Sequence, residues 1–141
     1  MKIYFATSIS GYIGEDSAYN NSELIKILKG YGTVLTEHFS NADIQEVGEK
    51  DLTDKYIHDR DIGWIDESEV IVADVTNPSL GVGYEIRYGM DNGKKILCLK
   101  RKNGKRLSAM ISGNGRVTVG EYDSIQEAAG IIDKFFKQQT I

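Results

Sequence analysis

The segment Val70-Ile71-Val72-Ala73-Asp74-Val75 constrains the fold more than any other stretch of the chain. An apolar run of this kind, broken by one carboxylate, suits a strand buried on both faces, as happens where helices cover a parallel sheet. Other strand-like runs sit at intervals around it: Ile3-Tyr4-Phe5-Ala6, Thr33-Val34-Leu35, Lys95-Ile96-Leu97-Cys98-Leu99 and Val117-Thr118-Val119. Helical patterns lie between them. One runs from about Asp16 to Lys29, with Leu24, Ile25, Ile27 and Leu28 at helical spacing, and Gly30 and Gly32 stop it. A second spans Tyr56 to Ser68, a third about Tyr84 to Asp91, ending near Gly93, and a fourth Ser124 to Lys137. The stretch from His38 to about Asp51 has no clear pattern. This alternation implies an α/β chain: a single domain, residues 1–141, with a mostly parallel five-stranded sheet flanked by helices on both faces, in the Rossmann-like or flavodoxin-like manner.

The composition agrees. A length of 141 residues is that of one domain, and 40% hydrophobic with 27% charged residues is an ordinary globular balance. Fifteen glycines and one proline fit short turns rather than a linker. Seventeen Lys and Arg against 21 Asp and Glu give a net charge of −4, a poor basis for tracking a nucleic-acid backbone. The lone Cys98 excludes an internal disulfide, and no Cys/His cluster has zinc spacing. The opening Met1-Lys2-Ile3-Tyr4-Phe5-Ala6 meets Thr7 and Ser8 too soon for a signal peptide, and no stretch reaches the ~18 apolar residues of a membrane span. A cytoplasmic protein is expected.

In such sheets ligands bind beyond the carboxyl ends of the strands, which directs attention to Thr7–Gly14, Asp74–Glu85 and Lys100–Gly113. Thr7-Ser8-Ile9-Ser10-Gly11 can cradle an anion with its backbone N–H groups, or be a plain turn. Asn77-Pro78-Ser79-Leu80-Gly81-Val82-Gly83-Tyr84-Glu85 carries a hydroxyl, two glycines and a carboxylate. With the helix expected from about Tyr84, Glu85 falls in its first turn, where the dipole would hold its pKa low. Such a carboxylate can attack an anomeric carbon, or it can simply satisfy helix-start amides. Asp61 lies in the apolar stripe of Ile57, Trp64 and Ile65. Burial there would raise its pKa and let it donate a proton; the alternative is a cap or an ion pair with Arg60 or Arg87. Paired carboxyls in opposed environments are what glycosidic cleavage requires.

The basic run Lys100–Arg106 reads mostly as solvated turn residues, and Ser108 beyond it could donate to a phosphate. His38 and His58 read as polar surface or packing residues and Cys98 as an inert buried thiol. Tyr4 either points its hydroxyl toward the strand ends or belongs to the core.

Tyr4-Phe5-Ala6-Thr7-Ser8-Ile9, Leu35-Thr36-Glu37-His38, Ile57-His58 with Asp61 and Trp64, Pro78–Glu85, Ile96–Leu99 and Leu107–Ile111 occur in this order. Together they closely resemble the 2′-deoxynucleoside 5′-monophosphate N-glycosidases (the Rcl type) of the nucleoside 2-deoxyribosyltransferase superfamily. The resemblance covers nearly the whole chain. It implies hydrolysis of a deoxynucleotide to free base and 2-deoxyribose 5-phosphate, with no metal or redox cofactor. It implies Glu85 as nucleophile, Asp61 as acid and Tyr4 as the residue positioning the nucleophile. It further implies that Ser8, Ser79 and Ser108 contact the phosphate or sugar phosphate, and that Thr7, Ile9, Ser10, Gly11, His38 and Gly81 belong to the substrate pocket. A homodimer is implied, with Ser108 reaching into the partner's site. Ser10 and Ser112 depart from the family pattern, standing where well-known members carry arginine, which removes two bidentate phosphate ligands. The rival readings are a deoxyribosyltransferase, a nucleotide-binding module without turnover, and an NAD-cleaving domain, against which the Ser79–Glu85 segment speaks.

Overall fold

The computed structural model describes residues 1–8, 15–36 and 52–139, with side chains in the first helix from residue 20 onward. Along the chain run β1 (Lys2–Ala6), α1 (Glu15–Lys29), β2 (Thr33–Leu35), α2 (Asp54–Glu67), β3 (Val70–Asp74), α3 (Leu80–Asp91), β4 (Lys95–Arg101), α4 (Ala109–Ser112), β5 (Val117–Tyr122) and α5 (Ile125–Gln139). The strands form a parallel sheet in the order β2-β1-β3-β4-β5. Phe5 pairs with Val72, and Val72 with Leu97, across the three central strands.

Successive strand residues point to opposite faces, so each strand feeds two cores. On one face Ile3, Phe5, Val72, Leu97 and Leu99 meet Leu24 and Leu28 of α1 and Ile132, Phe135 and Phe136 of α5. On the other Tyr4, Ala6, Ile71, Ala73, Ile96 and Cys98 meet Ile65 of α2 and Val82, Ile86 and Met90 of α3. Each Leu or Ile that is fully removed from water contributes about 1.5–3 kcal/mol before conformational entropy is counted. All five β3 residues are buried, as the continuous run predicts. Cys98 is buried too, and burial pushes its thiol up to about 12, so it is an inert core residue.

Two helices start earlier than their sequence patterns suggest. Thr53 caps α2, its hydroxyl accepting from the Tyr56 amide at 3.1 Å, so the helix begins at Asp54 rather than Tyr56. Ser79 caps α3 by accepting from the Val82 amide at 3.3 Å. Gly81 and Gly83 therefore lie inside the helix and not in a preceding loop. At the far end of α3, Gly93 takes φ 77° just past the Asn92 cap, the left-handed conformation that lets a helix stop and turn toward β4. The strands β4 and β5 run longer than expected, to Arg101 and Tyr122.

A buried polar chain ties the carboxyl ends of β3 and β5 to α1. The Tyr122 hydroxyl donates to Asp74 Oδ2 at 3.3 Å and accepts from Asn20 Nδ2 at 2.7 Å, while Asp74 Oδ1 accepts from the Thr76 amide at 2.9 Å. Burial raises the Asp74 carboxyl and pushes the Tyr122 hydroxyl up to about 12. Removing that hydroxyl leaves two buried groups short of a partner, each costing about 1–3 kcal/mol. Tyr122→Phe should therefore lose roughly 2–6 kcal/mol of stability in denaturant unfolding; an unchanged midpoint would show the chain to be energetically idle.

No helix among the described residues is long and apolar enough to cross a membrane. The chain turns from β1 toward α1 on one face of the sheet and from β3 toward α3 on the other. The crevice between these neighbouring strand ends is where an open sheet of this kind holds a ligand.

Candidate active site

Tyr4, Asp61 and Glu85 converge on the α2/α3 side of that crevice. Tyr4 stands on β1, almost fully buried, and its hydroxyl donates to the Glu85 carboxylate. Glu85 projects from the second turn of α3, and its Oε2 is buried with no hydrogen-bond partner among the described residues. Asp61 projects from α2 and lies close enough for its charge to act on Glu85. Gly81 completes the corner, since a Cβ there would come within 3.8 Å of Ser79 Oγ and 4.0 Å of Glu85 Oε1.

The electrostatics of Glu85 are the reverse of the sequence expectation. The helix begins at Leu80, so Glu85 sits beyond the first turn, where the dipole fades. Burial dominates and raises its pKa to about 7, with the Tyr4 hydrogen bond pulling down and the Asp61 charge pushing up. The helix-start role also falls away, because Ser79 satisfies the orphan amide. Asp61 pairs with Arg60, whose Nε stands 3.0 Å from its Oδ1; Arg87 pairs with Asp91.

Thr7 and Ser8 lie buried at the end of β1, and Thr7 Oγ1 accepts from Asn21 at 3.4 Å. Ser108 caps the short α4, its hydroxyl accepting from the Met110 amide at 3.2 Å. It shares with Ser79 a cavity of about 570 Å³ bounded by Leu80, Ile86, Leu107 and Met110, which Tyr4, Asp61 and Glu85 do not line. Ile9, Ser10, Gly11 and His38 lie outside the described residues.

Sequence reasoning missed Lys100. It is buried on β4 and donates to the Arg101 carbonyl and to Asn103 Oδ1 at 3.3 and 3.0 Å. Its period-two spacing from Ile96 and Cys98 was the available signal.

A family model described as Nucleoside 2-deoxyribosyltransferase matches residues 3–130. The chain belongs to the nucleoside 2-deoxyribosyltransferase family. It is 45% identical over 143 residues to the 5-hydroxymethyl-dUMP N-hydrolase of Esox lucius, covering 97% of each chain. Against the protein of the same name from Tetraodon nigroviridis it is 43% identical over 143 residues, covering 99% of each. Among solved structures it resembles the CMP N-glycosidase of Clostridium botulinum, with a TM-score of 0.70 at 20% identity over 95% of this chain and 99% of that one, a likeness of fold. In this nucleoside 2-deoxyribosyltransferase family member β1, α2 and α3 carry the converging polar groups Tyr4, Asp61 and Glu85. The described residues contain no group of His, Cys, Asp and Glu side chains arranged to hold a metal ion.

Proposed function

We propose that this chain hydrolyses the N-glycosidic bond of 2′-deoxynucleoside 5′-monophosphates, releasing free base and 2-deoxyribose 5-phosphate. The observation that carries the reading is the Glu85 carboxylate: buried, held by Tyr4, and with one oxygen unpartnered among the described residues. Relatives over nearly the full chain named as 5-hydroxymethyl-dUMP N-hydrolases support the same class of reaction.

In the proposed chemistry one proton is shared between two neighbouring carboxyls. Burial favours keeping it on Glu85 in the unliganded protein. Its passage to Asp61 as substrate docks leaves Glu85 ionised and Asp61 able to donate. Glu85 then attacks C1′, the bond from C1′ to the base breaks, and Asp61 protonates the departing base nitrogen. Water next attacks C1′ as Asp61 takes its proton, and Glu85 leaves. The 2-deoxy sugar lacks the electron-withdrawing 2′-hydroxyl, so the oxocarbenium-like transition state is reached more readily. The 5′-phosphate supplies binding energy remote from the reacting bond, which aligns C1′ with Glu85.

Thr7, Ser8, Ile9, Ser10, Gly11, His38, Ser79 and Gly81 surround the nucleotide in this reading. Ser108 serves the site of a partner subunit in a homodimer. Exposed Leu80, Tyr84 and Met110 support such a contact, since Leu80 and Met110 are 96% and 82% accessible in the single chain. A cytoplasmic location suits a nucleotide substrate.

A panel of deoxy- and ribonucleotides, with and without 5′-phosphate and including 5-hydroxymethyl-dUMP, tests the reading by chromatography of released base. The expected result is base plus 2-deoxyribose 5-phosphate from the deoxynucleotides. With a second free base present, a new nucleoside or nucleotide in place of hydrolysis would establish the transferase reading instead, the activity the family description carries. Tight deoxynucleotide binding with no base release would leave a binding module.

A further inference from the structure

Arg60 precedes Asp61 on α2, and neighbouring residues on a helix do not normally face each other. The pair nevertheless forms, with Arg60 Nε donating to Asp61 Oδ1 at 3.0 Å. The reason lies one turn further on. The Arg60 guanidinium carbon stands 4.8 Å over the centroid of the Trp64 ring, so the fork is stacked on an aromatic face while its Nε is turned back to the carboxylate. Both partners are largely removed from water, at 17% and 11% side-chain exposure. The contrast is with Arg87–Asp91 on α3, an i,i+4 pair at 68% and 51% exposure, a geometry any exposed helix offers at little net gain. A buried charge pair that helical geometry does not supply by default, next to a reacting carboxyl, is a costly arrangement without a further role.

We infer that Arg60, pinned by Trp64, is a positioning residue that fixes the Asp61 carboxylate in the orientation facing Glu85. The inference rests on the acid role proposed for Asp61. Asp61 moves its proton to or from a small target, and a misplacement of about 1 Å there costs on the order of a hundredfold in rate. Arg60 holds the carboxylate by Oδ1, and the charge of the same group acts on Glu85. Trp64 contributes by limiting the conformations open to the guanidinium.

The test is a double-mutant cycle on the full-length protein, using Arg60→Gln, Asp61→Asn, the double variant and Arg60→Lys. Turnover is followed on deoxynucleotides whose bases differ in leaving ability. Arg60→Gln should lower kcat by about tenfold or more with KM nearly unchanged, and the loss should grow as the base becomes a poorer leaving group. The double variant should be no worse than Asp61→Asn alone, because the two residues act through one carboxylate. Arg60→Lys, which keeps the charge and loses the fork, should recover part of the loss. Should Arg60→Gln fold poorly by thermal melting, Trp64→Leu enters the same cycle with a smaller loss of the same kind.

Losses that add in the double variant would overturn the inference, as would a uniform loss across leaving groups. A raised KM confined to phosphorylated substrates would make Arg60 a substrate-binding residue, and also overturns it. An unimpaired Asp61→Asn variant would remove the acid assignment itself. An impaired Asp61→Asn beside a normal Arg60→Gln would remove Arg60 alone.

Discussion

Glu85→Gln should abolish base release by roughly a thousandfold or more and, at pH 8, yield a protein more stable than its parent. The loss of activity follows from the nucleophile role proposed for Glu85, since an amide cannot supply the attacking carboxylate. The gain in stability follows from the buried carboxyl. Its pKa stands near 7 in the folded chain against an ordinary value of 4.5, so the folded state holds a proton that the unfolded chain has released. The stabilisation from that proton is complete below pH 4.5 and is lost as pH rises through 7. The full difference is on the order of 3 kcal/mol. Glutamine cannot ionise, keeps a carbonyl to accept from Tyr4, and escapes that loss. Denaturant unfolding at pH 5 and pH 8 separates the two effects: parent and variant should nearly coincide at the lower pH and diverge at the higher. A variant with no advantage at pH 8 would mean that Glu85 is better solvated than its surroundings indicate.

The pH dependence of kcat/KM carries the second large effect. In the proposed mechanism the competent unliganded pair carries one proton, held on Glu85 and passed to Asp61 as substrate docks, so the rate should fall tenfold per pH unit above about 7, where that proton is lost. Between pH 6 and pH 9 this amounts to roughly a hundredfold. Tyr4→Phe removes the hydrogen bond that pulls this pKa down, so the basic limb should move to higher pH as the maximum drops. A basic limb far from 7, or one unmoved by Tyr4→Phe, would assign the titration to another group.

Much of the frame was legible because it depends on local pattern. The apolar run Val70–Val75 announced a doubly covered strand, and β3 is buried along its whole length. The stripe of Ala128, Ile132, Phe135 and Phe136 likewise gave the buried face of α5. The start of α3 was misread because Gly81 and Gly83 look like loop residues, whereas Ser79 caps the helix ahead of them. That shift of one turn matters, since it removes Glu85 from the dipole and hands control of its charge to burial. Burial is a property of the assembled sheet, which a local pattern does not carry. Asp61 had two candidate ion partners in the sequence; the structure pairs it with Arg60, stacked on Trp64, and pairs Arg87 with Asp91. The chain Asn20–Tyr122–Asp74 joins residues 102 and 48 positions apart and left no local trace.

Rapid quenching of the protein during turnover, followed by peptide mass mapping, tests the proposed covalent step most directly. The peptide containing Glu85 should carry a 2-deoxyribose 5-phosphate adduct that is absent without substrate and absent in Glu85→Gln. Base released at the full rate with the sugar phosphate attached to a different residue, or with Glu85→Gln turning over normally, would contradict the account at its centre.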